Sequence, residues 1–440
     1  MAKNKIGLWT ATSLVVGNMV GTGIFLLPAA LASFGGISLV GWIVSAVGAL
    51  LIAYMFSGIS KLLPGMDSGP YSYSRRGFGD FIGFLMAWGY TISTWCTNAA
   101  IAVAFVGALS TFFPALAVNP LLAVLTGLSA IWLLTWVNTS GIRASGEMQL
   151  VTTILKLIPL IAVAFIGIFF IHHSYFIPFN RTGTSSLKAI MDSAAITFFA
   201  FLGVECATVP AASIKEPEKT VPRATMLGTG ITVLIYVVGT ISVMGILTPM
   251  ALQQSVTPFS DAAAVLWGDK ARYWVAGGVA IAAFGALNGW ILVQGQIPMT
   301  IARDKLFPEL FARENKKGAP GLGIIMGSVI VSVIMIMNYT KGLVEQFRFI
   351  TLLSTLTTLV PYLFVSASYV IIVSEEKRTL NAREWARVLI TASLAFIFSL
   401  LAIIGAGQEI VFWGFILMLA GTPFYVWNIL KRKKKDKTGL

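Results

Sequence analysis

Three glycines in seven residues interrupt the first apolar stretch of the chain, Gly17-Asn18-Met19-Val20-Gly21-Thr22-Gly23-Ile24-Phe25. A segment that crosses hydrocarbon keeps its backbone N–H and C=O groups paired internally, and open backbone is tolerated there only where it lines a cavity or packs against protein. Such a break frees backbone dipoles to hold something polar near the bilayer midplane, the arrangement secondary transporters use. A second interruption, Phe198-Phe199-Ala200-Phe201-Leu202-Gly203-Val204-Glu205, answers the first. Two ionisable residues stand in apolar surroundings, Lys156 within Ile154-Leu155-Lys156-Leu157-Ile158-Pro159 and Glu205 a turn past the second break. A charge so deep is costly, which makes each a functional candidate by default.

The elements that must position these residues follow from composition. The 440 residues are 57% hydrophobic and 11% charged, with a mean hydropathy of +0.83. So much apolar surface excludes a soluble fold and points to an all-α polytopic membrane protein. With about 20 apolar residues needed per crossing, twelve transmembrane spans are expected near 8–32, 37–60, 81–112, 120–140, 147–172, 188–212, 223–247, 270–302, 320–338, 346–373, 387–405 and 409–430. The breaks fall in the first and sixth spans, and an odd offset brings the second copy in from the opposite side. That is the arithmetic of a five-plus-five inverted repeat, with helices 1 and 6 unwound at the midplane. The single domain 1–440 then comprises a first repeat (1–172), a second (188–373), two appended helices (387–430) and a basic tail (431–440). Glycines that merely let helices pack are the competing explanation.

The net charge of +13 is unevenly placed. With both termini cytoplasmic, 24 of the 31 basic residues fall on that side, which the positive-inside rule favours, and the tail from Lys431 touches anionic lipid rather than nucleic acid. Met1–Trp9 runs into the first span without a cleavage site, so no removable signal peptide is expected. Cys96 and Cys206 both lie within spans and offer neither a disulfide framework nor a metal site, and His172-His173 lacks further ligands. Asn138-Thr139-Ser140 lies at the cytoplasmic end of a span, the wrong side for glycosylation, and no phosphate-binding GxxxxGK[ST] loop or paired nucleophile and base is present. No cofactor, metal or enzymatic activity is expected.

Taken together, the run Gly17 to Pro28, the loop Gly69-Pro70-Tyr71-Ser72-Tyr73, the Phe201-Leu202-Gly203-Val204-Glu205 break and Val221-Pro222-Arg223-Ala224 resemble the amino acid–polyamine–organocation transporter superfamily. The likeness spans nearly the whole chain and is strongest to the basic amino acid/polyamine antiporters, in particular those exchanging arginine for agmatine. It implies the inverted-repeat fold and exchange of one amino acid for another or for its decarboxylated amine by alternating access; the lack of targeting features and the short loops fit a bacterial inner membrane, and monomer and homodimer both stay open.

A zwitterionic substrate needs donors for its carboxylate and acceptors for its ammonium, and helix ends supply both without buried charges. Freed N–H groups around Thr22, Gly23 and Ile24 would take the carboxylate, with the Thr22 hydroxyl adding a donor. Carbonyls between Ala200 and Gly203, Leu202 among them, would accept from the ammonium. The resemblance also implies substrate contacts for Asn18, for Thr94, Asn98 and Ile101 of the third span, for Trp290, and for Ser354. Asn98, Trp290 and Ser354 match the positions around a distal guanidinium, where a flat π surface and neutral acceptors suit a cation. Without the resemblance, Asn18 ties helices together and Trp290 is an interfacial anchor.

The chain departs from the arginine/agmatine pattern twice. Phe199 stands where those exchangers carry a gating tryptophan, and Lys156 replaces a small apolar residue. A lysine there resembles proton-coupled and neutral amino acid members, in which its ammonium bridges spans 1 and 8. Held only by carbonyl dipoles, it could release a proton as the structure rearranges or act as a permanently charged strut. Glu205 matches a pH-sensitive residue needed for turnover, with a static pairing to a lysine as the alternative. A proton-coupled permease for neutral amino acids is therefore a second expectation. A sensor or channel on the same scaffold is a remote third, since a channel would line a continuous pore with polar rings.

Overall fold

Backbone that meets no water must satisfy itself, so the apolar stretches fold as helices. The computed structural model describes residues 7–21, 23–66, 69–140, 155, 157–209, 211, 214–337, 342–376 and 380–438. Among them nine helices are long and apolar enough to cross a membrane, joined by two shorter apolar helices, Leu157–Phe170 and Gly321–Met337. The first half holds α1 (Leu8–Met19), α2 (Gly23–Leu31), α3 (Ile37–Leu62), α4 (Gly69–Ser110), α5 (Ala115–Val118), α6 (Pro120–Thr139) and α7 (Leu157–Phe170). The second holds α8 (Ser186–Phe198), α9 (Pro217–Ile246), α10 (Pro249–Gln254), α11 (Pro258–Trp267), α12 (Asp269–Arg303), α13 (Gly321–Met337) and α14 (Leu343–Glu376). Then follow α15 (Ala382–Gly405), α16 (Gln408–Leu419) and α17 (Thr422–Thr438).

The first apolar stretch divides between α1 and α2. Val20 leaves the helical range at ψ 59°, and the Gly21 N–H turns back to the Met19 carbonyl at 2.6 Å. In the stretch 188–212, expected as one broken span, α8 ends at Phe198, a 3-10 turn covers Phe199–Phe201, and 202–209 continue as turns. Leu202 is extended at ψ 131° and Gly203 sits at φ 105°, a conformation open to glycine, so the chain leaves the helix there. The stretch 61–80, which lies between the second and third expected spans, contains the first turns of α4, set off from the spanning part by Gly79 at φ 81°. There Arg75 pairs with Asp304 at 2.9 Å and with Asp80 at 2.8 Å, joining α4 to the end of α12.

Burial ranks the elements. Most of the apolar part of Leu8–Leu31 is buried and little of that of Gln408–Lys431 is, so the broken first stretch lies in the core and the last helices at its rim. Around it α1 packs on α9, α3 on α8 and α9, and α4 on α12 and α14. Small residues permit these approaches. A Cβ on Gly405 would stand 2.3 Å from the Met191 carbonyl oxygen, a backbone atom that cannot swing aside. Gly405→Ala is expected to force α15 off α8 at a cost of about 1–3 kcal/mol, lowering the thermal unfolding midpoint in detergent. Gly230, where a Cβ meets nothing within 4 Å, serves as the control: alanine there is expected to leave the midpoint unchanged or higher, and equal midpoints for the two variants would contradict this account.

Candidate substrate site

The two breaks meet. A Cβ on Gly203 would lie 3.3 Å from the Cβ of Asn18, so glycine lets the second break close onto the last turn of α1. Asn18 and the Cys206 thiol both lie against Gly203, and the Tyr236 hydroxyl donates to the Met19 carbonyl, which also accepts from the Gly21 N–H. Gly21 abuts Ala286 of α12, and Ile24, fully buried, lies in the first turn of α2, where backbone amides have no intrahelical acceptor. Gly23 opens that helix. Thr22 and Lys156 lie outside the described residues.

A cavity of about 10 Å³ sits where α1, α4, α12 and the second break converge, lined by Asn18, Met19, Gly21, Thr97, Ile101, Phe199, Leu202 and Trp290. That is room for roughly one water, so a substrate requires its walls to part. Trp290 is 3% exposed, and Phe199 is 5% exposed with its ring set edge-on against Phe347 at 5.8 Å. These two side chains are the aromatic walls of the cavity. A wider groove of about 280 Å³ between α14 and α15 is lined by Ser366, Ala367, Val370, Ala392, Ser393, Phe396 and Ile397, without an ionisable group, and touches none of the candidate residues.

The structure brings Asn18, Ile101, Phe199, Leu202 and Trp290 together on this cavity. Thr94, Asn98 and Ser354 are buried behind it. The Thr94 hydroxyl donates to the Tyr90 carbonyl of its own helix at 2.8 Å. Asn98 donates to Gln294 Oε1 at 2.8 Å, across to α12. Ser354 belongs to a hydroxyl cluster between α4 and α14, 2.8 Å from Thr97 Oγ1, 3.0 Å from Ser93 Oγ and 3.0 Å from the Ser93 carbonyl; Ser93 also bonds Thr358. The carbonyls of Phe199, Phe201 and Gly203 accept from Leu202, Val204 and Cys206 within the turns, so the carbonyls expected to be free between Ala200 and Gly203 are partly used.

Glu205 is fully buried, and both carboxylate oxygens accept from tyrosine hydroxyls, Oε1 from Tyr90 of α4 and Oε2 from Tyr362 of α14. No basic side chain pairs with it among the described residues. Its neighbour Cys206 packs with Asn18 around Gly203, so this clamp adjoins the cavity wall. Thr97, Met19, Tyr90, Tyr362 and Gln294 were not singled out from the sequence. Of these only Gln294, an amide inside an apolar stretch, carried a signal of its own.

The sequence profile of the amino acid permease family matches residues 6–426. The chain is similar to a cadaverine/lysine antiporter of Escherichia coli, 32% identical over 435 residues that cover 98% of this chain and 96% of the relative. A putrescine transporter of Haemophilus influenzae is 30% identical over 426 residues, 96% of each chain. An arginine/ornithine antiporter of Pseudomonas aeruginosa is 29% identical over 457 residues, 100% of this chain and 92% of the relative. Matched over nearly its whole length and carrying the motifs described above, the chain belongs to the amino acid permease family, within the amino acid–polyamine–organocation superfamily.

Proposed function

We propose that this protein is a secondary antiporter that exchanges a basic amino acid, such as arginine or lysine, for a related amino acid or its decarboxylated amine by alternating access. The observation that carries this reading is the convergence of both breaks and Trp290 on one cavity, in a chain similar over its full length to antiporters of basic amino acids and amines. In this reading twelve spans form a five-plus-five inverted repeat with both termini cytoplasmic, in a bacterial inner membrane. The first amides of α2 and Thr22 hold the carboxylate, Asn18 and the Leu202 turn lie at the ammonium, and Trp290 faces the distal cation. Thr94, Asn98, Ile101 and Ser354 shape the distal end, and Phe199 gates. Glu205 and Lys156 couple the cycle to protons or to the motion itself.

One observation favours a second reading. Among the described residues no charged side chain lines the cavity, and Met19, Ile101, Phe199 and Leu202 would accept a neutral substrate. Purified protein in liposomes separates the two. Labelled arginine or lysine is expected to enter only against trapped agmatine, cadaverine, putrescine or ornithine, and hardly at all into empty vesicles. Uptake of alanine under an inward proton gradient, with none of arginine or lysine, would instead establish a neutral permease.

A further inference from the structure

Gln294 and Asn98 are both fully buried and face each other between α12 and α4. The orientation of each amide follows from one fixed point. Gln294 Nε2 donates to the Ile324 carbonyl at 3.0 Å and to Ser328 Oγ at 2.9 Å. A carbonyl can only accept, so the nitrogen of Gln294 must lie on that side and its Oε1 must face Asn98. Only the Asn98 nitrogen can meet that oxygen, which it does at 2.8 Å. Asn98 Oδ1 is left with no hydrogen-bond partner among the described residues.

We propose that Gln294 is a positioning residue that locks the Asn98 amide with its oxygen offered to the cationic end of the substrate. This deepens the exchange reading above and rests on it. Asn98 lies one turn from Ile101 on α4 and Gln294 one turn from Trp290 on α12, and both of those neighbours line the cavity. A buried acceptor without a donor is unfavourable, and the penalty is relieved by a ligand bearing N–H groups. Ammonium and guanidinium tips qualify, whereas an apolar or carboxylate tip does not. The lock is itself supported. Gly327 leaves the space in which Gln294 lies, since a Cβ there would stand 2.7 Å from Gln294 Cδ, and Ser328 is held in turn by Thr135 at 2.6 Å.

The test is binding calorimetry on the full-length protein in nanodiscs with lysine, arginine and norleucine, which has the carbon skeleton of lysine without its ammonium. Gln294→Leu frees Asn98 to turn its nitrogen inward and is expected to lower the ratio of lysine to norleucine affinity about tenfold, the loss of one charge-assisted hydrogen bond. Arginine is expected to follow lysine. In an Asn98→Ala background the same substitution is expected to leave the ratio where Asn98→Ala alone puts it. Gly327→Ala keeps every polar group and displaces only Gln294, so it carries the same test should the leucine variant fail to fold. A merely structural role weakens all three ligands alike and leaves the ratio unmoved. An unmoved ratio, or a full further loss on top of Asn98→Ala, overturns the proposal while the exchange reading stands. Wild-type protein that holds norleucine as tightly as lysine and arginine overturns both.

Discussion

Replacing Glu205 with alanine is expected to slow exchange about a hundredfold while changing the substrate KM by less than about threefold, a loss of roughly 2.7 kcal/mol confined to the transport cycle. The argument starts from geometry. Glu205 sits in the turns after α8 and receives the hydroxyls of Tyr90 and Tyr362, so one carboxylate joins α4, α14 and the second break. Alanine leaves two buried tyrosine hydroxyls without their acceptor, each worth about 1–3 kcal/mol. No atom of Glu205 lines the cavity, so substrate affinity is spared while the rearrangement that must open and re-form the clamp loses its partner. Glu205→Gln separates the tie from the proton. Glutamine accepts from one tyrosine and donates to the other but cannot titrate, and is expected to keep more turnover than alanine with a flattened pH profile. Exchange rates in liposomes beside calorimetric affinities decide the matter. A large loss of affinity with unchanged maximal rate would place Glu205 in the substrate site instead.

The second large effect is expected at Trp290. Trp290→Leu should raise the KM for arginine or lysine about thirtyfold, in keeping with about 2 kcal/mol for a desolvated cation over an indole face. Trp290→Phe should recover part of this, because a smaller ring keeps a weaker quadrupole. The side chain is buried on the cavity wall beside Ile101 and Leu202, and among the described residues no carboxylate lines that wall to hold the cation in its place. Equal losses for leucine and phenylalanine would mean that the indole acts by filling space alone.

Part of this site was legible in the sequence for a physical reason. Glycine clusters and a lone carboxylate are unusual inside apolar stretches, so the two breaks and Glu205 stood out before any packing was known, whereas Trp290 emerged only through the family resemblance. The helices were legible because hydrocarbon leaves backbone few alternatives. What the sequence left hidden lies across the chain: Tyr90 and Tyr362 are 115 and 157 residues from Glu205, and a tyrosine in a membrane helix has no mark that separates a clamp from an anchor. Gln294 is 196 residues from Asn98, and its orientation is set by a carbonyl on a third helix. Where helix gives way within the sixth predicted span was hidden, because hydropathy continues through Val204 to Val209 while the helix, turned aside at Gly203, does not.

The hydroxyls of Ser93, Thr97 and Ser354 have a different freedom. Each carries one proton that rotates, and the contacts between Ser354 and Thr97 and between Ser354 and Ser93 can run in either sense. When the Ser354 proton points to the Ser93 carbonyl, Thr97 donates to Ser354 and shows the cavity a lone pair; when Ser354 turns to Thr97, the Thr97 proton is released toward the cavity. One small rotation therefore reverses the polarity of this wall without moving a helix. In the exchange proposed above, cargo that bears a carboxylate alternates with cargo that has lost it, and a wall whose hydroxyl can either donate or accept suits both.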